Sequence, residues 1–146
     1  MDISIRRIGA GDESAFEEIK NLLLELYPNN PPLSANIFEG LLDDEGVDIF
    51  VAELEKRVVG TASLAWYQKL GGKVFIIEDV VVSKGLRGSG IGHKLTEALL
   101  SRAKELSAEF VDVFTRREDA KKFYIKCGFH SKDEIRPFFA LRYMLK

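Results

Sequence analysis

IIEDVVVSKGLRGSGIGH, from Ile76 to His93, is the stretch whose reading decides the fold of this chain. An apolar run carrying two adjacent carboxylates, Glu78 and Asp79, leads into a basic, glycine-rich turn that opens an amphipathic helix. A strand, a tight turn and a helix N-terminus together make an anion site: first-turn N–H groups lack intrahelical partners, and the helix dipole adds partial positive charge. Gly88, Gly90 and Gly92 let the backbone approach a phosphate with no Cβ in the way. A bound phosphate or pyrophosphate is the first expectation. The alternative is a glycine-rich strand-to-helix turn that holds no ligand.

Two familiar glycine motifs fail on spacing. A dinucleotide fingerprint needs a third glycine where His93 stands, and a Walker A loop needs a Gly-Lys-Ser or Gly-Lys-Thr that this chain lacks. What remains is R-x-x-G-x-G, as Arg87, Gly88, Ser89, Gly90, Ile91 and Gly92, after the strand residues Val80, Val81 and Val82. This pattern resembles the acetyl-CoA signature of the GNAT N-acetyltransferase superfamily. A second element resembles the same family: Ala120, Phe123, Tyr124, Gly128 and Phe129 stand in the order A-x-x-F-Y-x-x-x-G-F. The two lie in the family's order, and the likeness runs from about Val47 to Phe129. Two departures stand out: Lys84 occupies a position where many relatives carry proline, and Arg117 one where many carry asparagine.

The resemblance implies an αβα sandwich of the α+β class, built on a mixed, mostly antiparallel sheet. Its strands splay to leave a notch for acetyl-CoA. It further implies that the amides of Arg87 to His93 wrap the CoA pyrophosphate, that Val80 offers its N–H to the acetyl oxygen, and that Val81 and Val82 lie along the pantetheine arm. Tyr124 matches the family tyrosine that serves the departing sulfur.

The 146 residues suit one domain spanning 1–146, with 46% hydrophobic and 30% charged residues and a formal net charge of -2. That balance argues against a nucleic-acid partner. The apolar runs are too short for a membrane helix, and the first residues lack a secretory core, so a cytoplasmic protein is expected. Cys127 is the only cysteine, which rules out an internal disulfide and an all-cysteine metal site. The two histidines, His93 and His130, make a poor metal site, and no metal is expected.

Periodicity supplies the order of elements. Ile3, Ile5 and Ile8 predict a first strand. Ser14 to Glu17 fits a capping box, opening a helix through Phe16, Ile19, Leu23 and Leu26 that stops before Pro28. Asn29 to Pro32 reads as a loop, and Ser34 as the cap of a short helix through Leu42. Val47–Leu54 and Val58–Trp66 read as a hairpin around Glu55 to Arg57, followed by a strand Lys73–Val82. A helix follows the glycine turn, then a strand Phe110–Phe114, a helix ending at Gly128 and a last strand Phe138–Leu145.

Acetyl transfer to an amine requires a base, a polarised carbonyl, a stabilised leaving thiolate and juxtaposed substrates. Glu78 is the candidate base, acting through a water, because a carboxylate interrupting an apolar strand has its pKa raised by burial. A structural carboxylate paired with an arginine or lysine is the alternative. Asp79 should face the other way unless a bulge intervenes, and is the candidate contact for the acceptor amine. Tyr124, with a phenol pKa near 10, can donate to a thiolate; the other reading is a core aromatic. The expected function is direct transfer of acetyl from acetyl-CoA to a primary amine of a small molecule or peptide. Its rival is a non-catalytic acyl-CoA sensor of the same fold, and a homodimer is compatible with either. The acidic residues Asp43, Asp44, Glu45 and Asp48 read either as a solvated loop or as a potential that favours a cationic acceptor, whereas Arg116, Arg117 and Arg136 favour one bearing phosphate or carboxylate.

Overall fold

A computed structural model describes residues 2–29 and 33–146. The elements follow the order β1 (Ile3–Ile8), α1 (Phe16–Leu26), α2 (Ala35–Leu42), β2 (Val47–Leu54), β3 (Arg57–Lys69), β4 (Gly72–Val82), α3 (Ile91–Glu105), β5 (Asp112–Val113) and α4 (Glu118–Lys126). The chain divides into two compact units, Met1–Phe114 and Thr115–Lys146.

In the first unit the five strands form one sheet in sequence order, antiparallel from β1 to β4, with β5 added in parallel to β4. Register assigns the faces, since directly paired residues project to the same side. Ile49 pairs with Ser63, and Ser63 with Glu78. Ile49 and Val51 pack with Ile19 of α1 and Phe38 of α2, so α1 and α2 cover this face. The opposite face belongs to α3. A Cβ at Gly60 would meet Leu95 at 3.2 Å and Ile91 at 3.3 Å, so glycine there lets the helix lie close on the sheet. Ile91, Leu95, Leu99 and Ala103 of α3 are buried at i, i+4, i+8 and i+12. The result is a mixed, mostly antiparallel sheet between helices, the αβα sandwich that the resemblance implies.

Local sequence departs from expectation at two turns. The capping box does not form. Ser14 lies in a 3-10 turn, Glu13–Ala15, and the N-cap of α1 is Ala15 with no side-chain cap. The Asp12 carboxylate instead accepts the N–H of Gly9 at 2.9 Å. The hairpin turn is two residues rather than three: Glu55 and Lys56 have φ of 51° and 66°, and Arg57 already belongs to β3. Both central residues at positive φ suit the twist of a tight hairpin, although neither is the usual asparagine or glycine. Ser34 does cap α2, its hydroxyl accepting the N–H of Ile37 at 3.2 Å. Of the loop expected at Asn29 to Pro32, residues 30–32 lie outside the described residues.

In the second unit α4 ends as its sequence predicts. Gly128 has φ of +99°; its N–H reaches the Ile125 carbonyl at 3.0 Å, and the Phe129 N–H reaches that of Tyr124 at 3.0 Å. This pair of bonds is the Schellman motif. Two strand expectations are corrected. The strand expected over Phe110–Phe114 pairs only at Asp112 and Val113. The strand expected at Phe138–Leu145 is absent, and Phe139, Leu141, Tyr143 and Leu145 are each at least 80% exposed. Alternation at period two is strand chemistry, but a strand also needs a neighbouring edge, and among the described residues no ladder includes this segment.

Candidate active site

The site grows out of an irregularity in β4. Ser63 pairs with Glu78 and Thr61 with Val81, so Ala62 alone on β3 faces Asp79 and Val80 together. That two-against-one count is a β-bulge, and Asp79 occupies it at φ of 53°. A non-glycine residue in the left-handed region costs on the order of 1–2 kcal/mol and needs support. Two hydrogen bonds adjoin the bulge. The Tyr27 hydroxyl, just past the end of α1, donates to Asp79 Oδ1, and the Ser63 hydroxyl donates to the Glu78 carbonyl at 3.1 Å.

Glu78 projects on the α1 and α2 side, by its pairing with Ser63. Partial burial raises its pKa, and the negative charge of Asp79 raises it further. Among the described residues no salt bridge and no side-chain hydrogen bond engages its carboxylate. Tyr27 is pushed up to about 12, first by its hydrogen bond to Asp79, then by burial and the charges of Asp79 and Glu78.

The ladder between β4 and β5 holds only at Ile76 and Ile77. From Glu78 to Val82 the β4 edge on that side has no strand partner among the described residues, which leaves main-chain groups for an extended ligand. Val81 is buried, whereas Val80 and Val82 are half-buried. The chain then turns through a 3-10 segment, Lys84–Leu86, into Gly88 and Gly90 at φ of 82° and 88°. Gly90 is the N-cap of α3, and its carbonyl accepts the first helical bond, from Lys94 N–H at 3.1 Å.

A Cβ built on Gly88 or Gly90 would meet nothing within 4 Å. Backbone conformation demands these two glycines, and the space above them is open to a ligand. Gly92 belongs to the first turn of α3, where its carbonyl accepts the Thr96 hydroxyl at 2.8 Å. Ile91 is 1% exposed and anchors the helix start, so it can serve a ligand only through its backbone. The open turn, the helix N-terminus and the unpartnered β4 edge fit an elongated anion such as the phosphate-bearing half of acetyl-CoA.

The Arg87 side chain is held within the protein. Its Nε donates to the Val82 carbonyl at 3.3 Å, and its Nη2 to Glu25 of α1 at 2.6 Å. The Ser89 hydroxyl donates to the Leu86 carbonyl, and His93 Nε2 lies 3.0 Å from Glu97. Thus Glu78, Asp79, Val80, Val81, Val82 and Arg87 to His93 form one strand–turn–helix in the first unit. Tyr124 stands in the second unit, 8% exposed, with Phe123 and Phe129 edge-on at centroid distances of 5.1 Å and 5.5 Å. Sequence reasoning missed Tyr27 and Glu25, because neither sits in a motif and each finds its partner more than fifty residues away. Among the described residues no group of three histidine, cysteine or carboxylate side chains could hold a metal ion, and no helix is long and apolar enough to cross a membrane.

Known proteins resemble this chain in sequence and in fold. The chain is 34% identical over 144 residues to a probable glucosamine 6-phosphate N-acetyltransferase of Oryza sativa subsp. japonica, covering 89% of this chain and 83% of the relative. It is 32% identical over 140 residues to a glucosamine 6-phosphate N-acetyltransferase of Trypanosoma brucei brucei, covering 91% and 92%. Its fold matches the crystal structure of an aminoglycoside acetyltransferase from an uncultured soil metagenomic sample, with a TM-score of 0.85 at 23% identity over 99% of this chain and 97% of that one. The model of the acetyltransferase (GNAT) family matches residues 16–129. The chain belongs to the GNAT acetyltransferase family.

Proposed function

We propose that this protein transfers acetyl from acetyl-CoA to the primary amine of an amino-sugar phosphate, in a single ternary complex. The observation that carries the reaction type is the β4 bulge. It sets a carboxylate of raised pKa at the start of the strand edge, Glu78 to Val82, that β5 leaves open on the way to an anion-binding helix N-terminus. The choice of acceptor is supported by the two curated relatives above, both named for glucosamine 6-phosphate.

In this reading the amine nitrogen attacks the thioester carbonyl. The C–N bond forms, the C–S bond breaks, and the proton leaving nitrogen passes through a water to Glu78. The Val80 N–H serves the developing oxyanion, a role typically worth about 2.7–4 kcal/mol. The family resemblance gives Tyr124 the role of proton donor to the departing thiolate. Cys127 matches no nucleophile motif, and the reading needs no acyl-enzyme.

The test is acetyl-CoA-dependent thiol release with glucosamine 6-phosphate, glucosamine, a polyamine and a peptide N-terminus, with products identified by mass. Saturable release with glucosamine 6-phosphate and little with glucosamine supports the proposal. Preference for a polyamine or peptide would refute the acceptor while leaving the reaction. Binding of acetyl-CoA with no release from any acceptor would favour the sensor reading. Tyr124→Phe should lower turnover on the order of tenfold or more with acetyl-CoA affinity nearly unchanged.

A further inference from the structure

The two adjacent carboxylates are held differently. Asp79 accepts a hydrogen bond from the Tyr27 hydroxyl, at a backbone conformation that a non-glycine residue adopts only with support. The Glu78 carboxylate forms no such bond among the described residues and shares its face with Thr61, Ser63 and Ala65, which carry no charge. We propose that Tyr27 is a positioning residue: its hydrogen bond fixes Asp79 within the bulge as a stationary anion and leaves Glu78 as the carboxylate that takes the amine's proton. The inference rests on the acetyl-transfer reading and deepens it by dividing the labour within the pair.

The chemistry is consistent from both sides. A phenol that ionises only near 12 keeps its proton across the working range, so it donates to Asp79 throughout and never competes as a base. A fixed negative charge beside Glu78 disfavours a second one, which pushes Glu78 toward the neutrality that suits a general base. The groups facing Glu78 are few. Its own strand brings Asp79, and the residue after α1 brings the Tyr27 phenol, which feels both carboxylates. The strand β5 brings Asp112, in register with Ile76.

The decisive experiment reads Glu78 without any acceptor. The carboxyl carbons of glutamate are labelled with 13C, the Glu78 resonance is assigned through Glu78→Gln, and its titration midpoint is followed by NMR. In the wild type the midpoint should lie above the ordinary value of 4.5. In Tyr27→Phe it should fall toward that value; in Asp79→Asn it should fall further; the double variant should match Asp79→Asn alone. An unmoved midpoint in Tyr27→Phe, or additive falls in the double variant, would overturn the proposal.

A second measurement covers the case in which Tyr27→Phe fails to fold. Ultraviolet titration of Asp79→Asn, with the Tyr27 signal identified by its absence in Tyr27→Phe with Asp79→Asn, should show that phenol moving from about 12 back toward 10. A phenol still ionising near 12 would contradict the pairing. Neither measurement uses an amine substrate, so a wrong acceptor cannot mimic failure. With an acceptor in hand, Tyr27→Phe should shift the acid limb of the rate profile while leaving acetyl-CoA affinity unchanged.

Discussion

Arg87 of the glycine turn is bound to Glu25 of α1, Nη2 to Oε2 at 2.6 Å. The same guanidinium is a natural partner for a phosphate, which matches its planar donors as well as a carboxylate does. Carboxylate and phosphate therefore compete for it. With side chains 50% and 30% exposed, the pair contributes under about 1 kcal/mol. Glu25→Gln should accordingly strengthen acetyl-CoA binding about two- to fivefold by calorimetry. Arg87→Ala should weaken it. Weaker binding in Glu25→Gln would show that the pair builds the site rather than competing with it.

Gly90 caps α3 at φ of 88° with nothing within 4 Å of where a Cβ would stand. Gly90→Ala should cost about 1–2 kcal/mol of conformational strain, or on the order of tenfold in acetyl-CoA affinity if the turn relaxes to avoid it. A larger side chain would also fill the open space, so Gly90→Glu should bind more weakly still. Equal affinity of wild type and Gly90→Glu would remove the turn from the site.

The raised pKa of Glu78 has a consequence for stability. The folded protein holds that proton more tightly than the unfolded chain, so stability is lost as pH rises from the ordinary 4.5 through the folded value. Glu78→Gln should therefore melt higher than wild type near pH 7, with the difference vanishing below pH 4.5. Glu78 is exposed, so screening keeps the gain small, about 1–2 °C. A wild type that melts higher than Glu78→Gln at neutral pH would mean that the carboxylate has a stabilising partner.

The hairpin between β2 and β3 carries removable strain. Glu55 and Lys56 are exposed and both sit at positive φ, where asparagine and glycine are at ease. The double change Glu55→Asn with Lys56→Gly should raise the melting temperature by about 2–4 °C without touching acetyl-CoA binding. A lower melting temperature would mean that the two side chains contribute more than the turn costs.

Much of this architecture is legible in local sequence because it is made by local chemistry. The alternating isoleucines of β1, the buried stripe of α3, the Ser34 cap and the Gly128 stop each depend on residues a few positions apart. The bulge was legible only as a condition, since adjacent carboxylates can share a region of the sheet only if the pleat is broken at Asp79. What local sequence could not show were partners distant along the chain. Tyr27 reads as the residue before a helix-stopping proline, and its bond to Asp79 crosses 52 positions. Leu141, Tyr143 and Leu145 fail in the opposite direction, because they carry a strand's alternation without a strand's partner. Ser14 likewise carries a cap's chemistry one residue before the N-cap of α1.

The central claim is that Glu78 takes the proton from the attacking amine, and the rate profile against pH tests it most directly. With glucosamine 6-phosphate as acceptor, wild-type kcat/KM should rise with pH along an acid limb whose midpoint lies above the ordinary glutamate value, as Glu78 ionises. Glu78→Gln should lose that limb and fall on the order of 10²-fold or more in kcat/KM, with acetyl-CoA affinity unchanged. A variant that keeps both the limb and the rate would contradict the account.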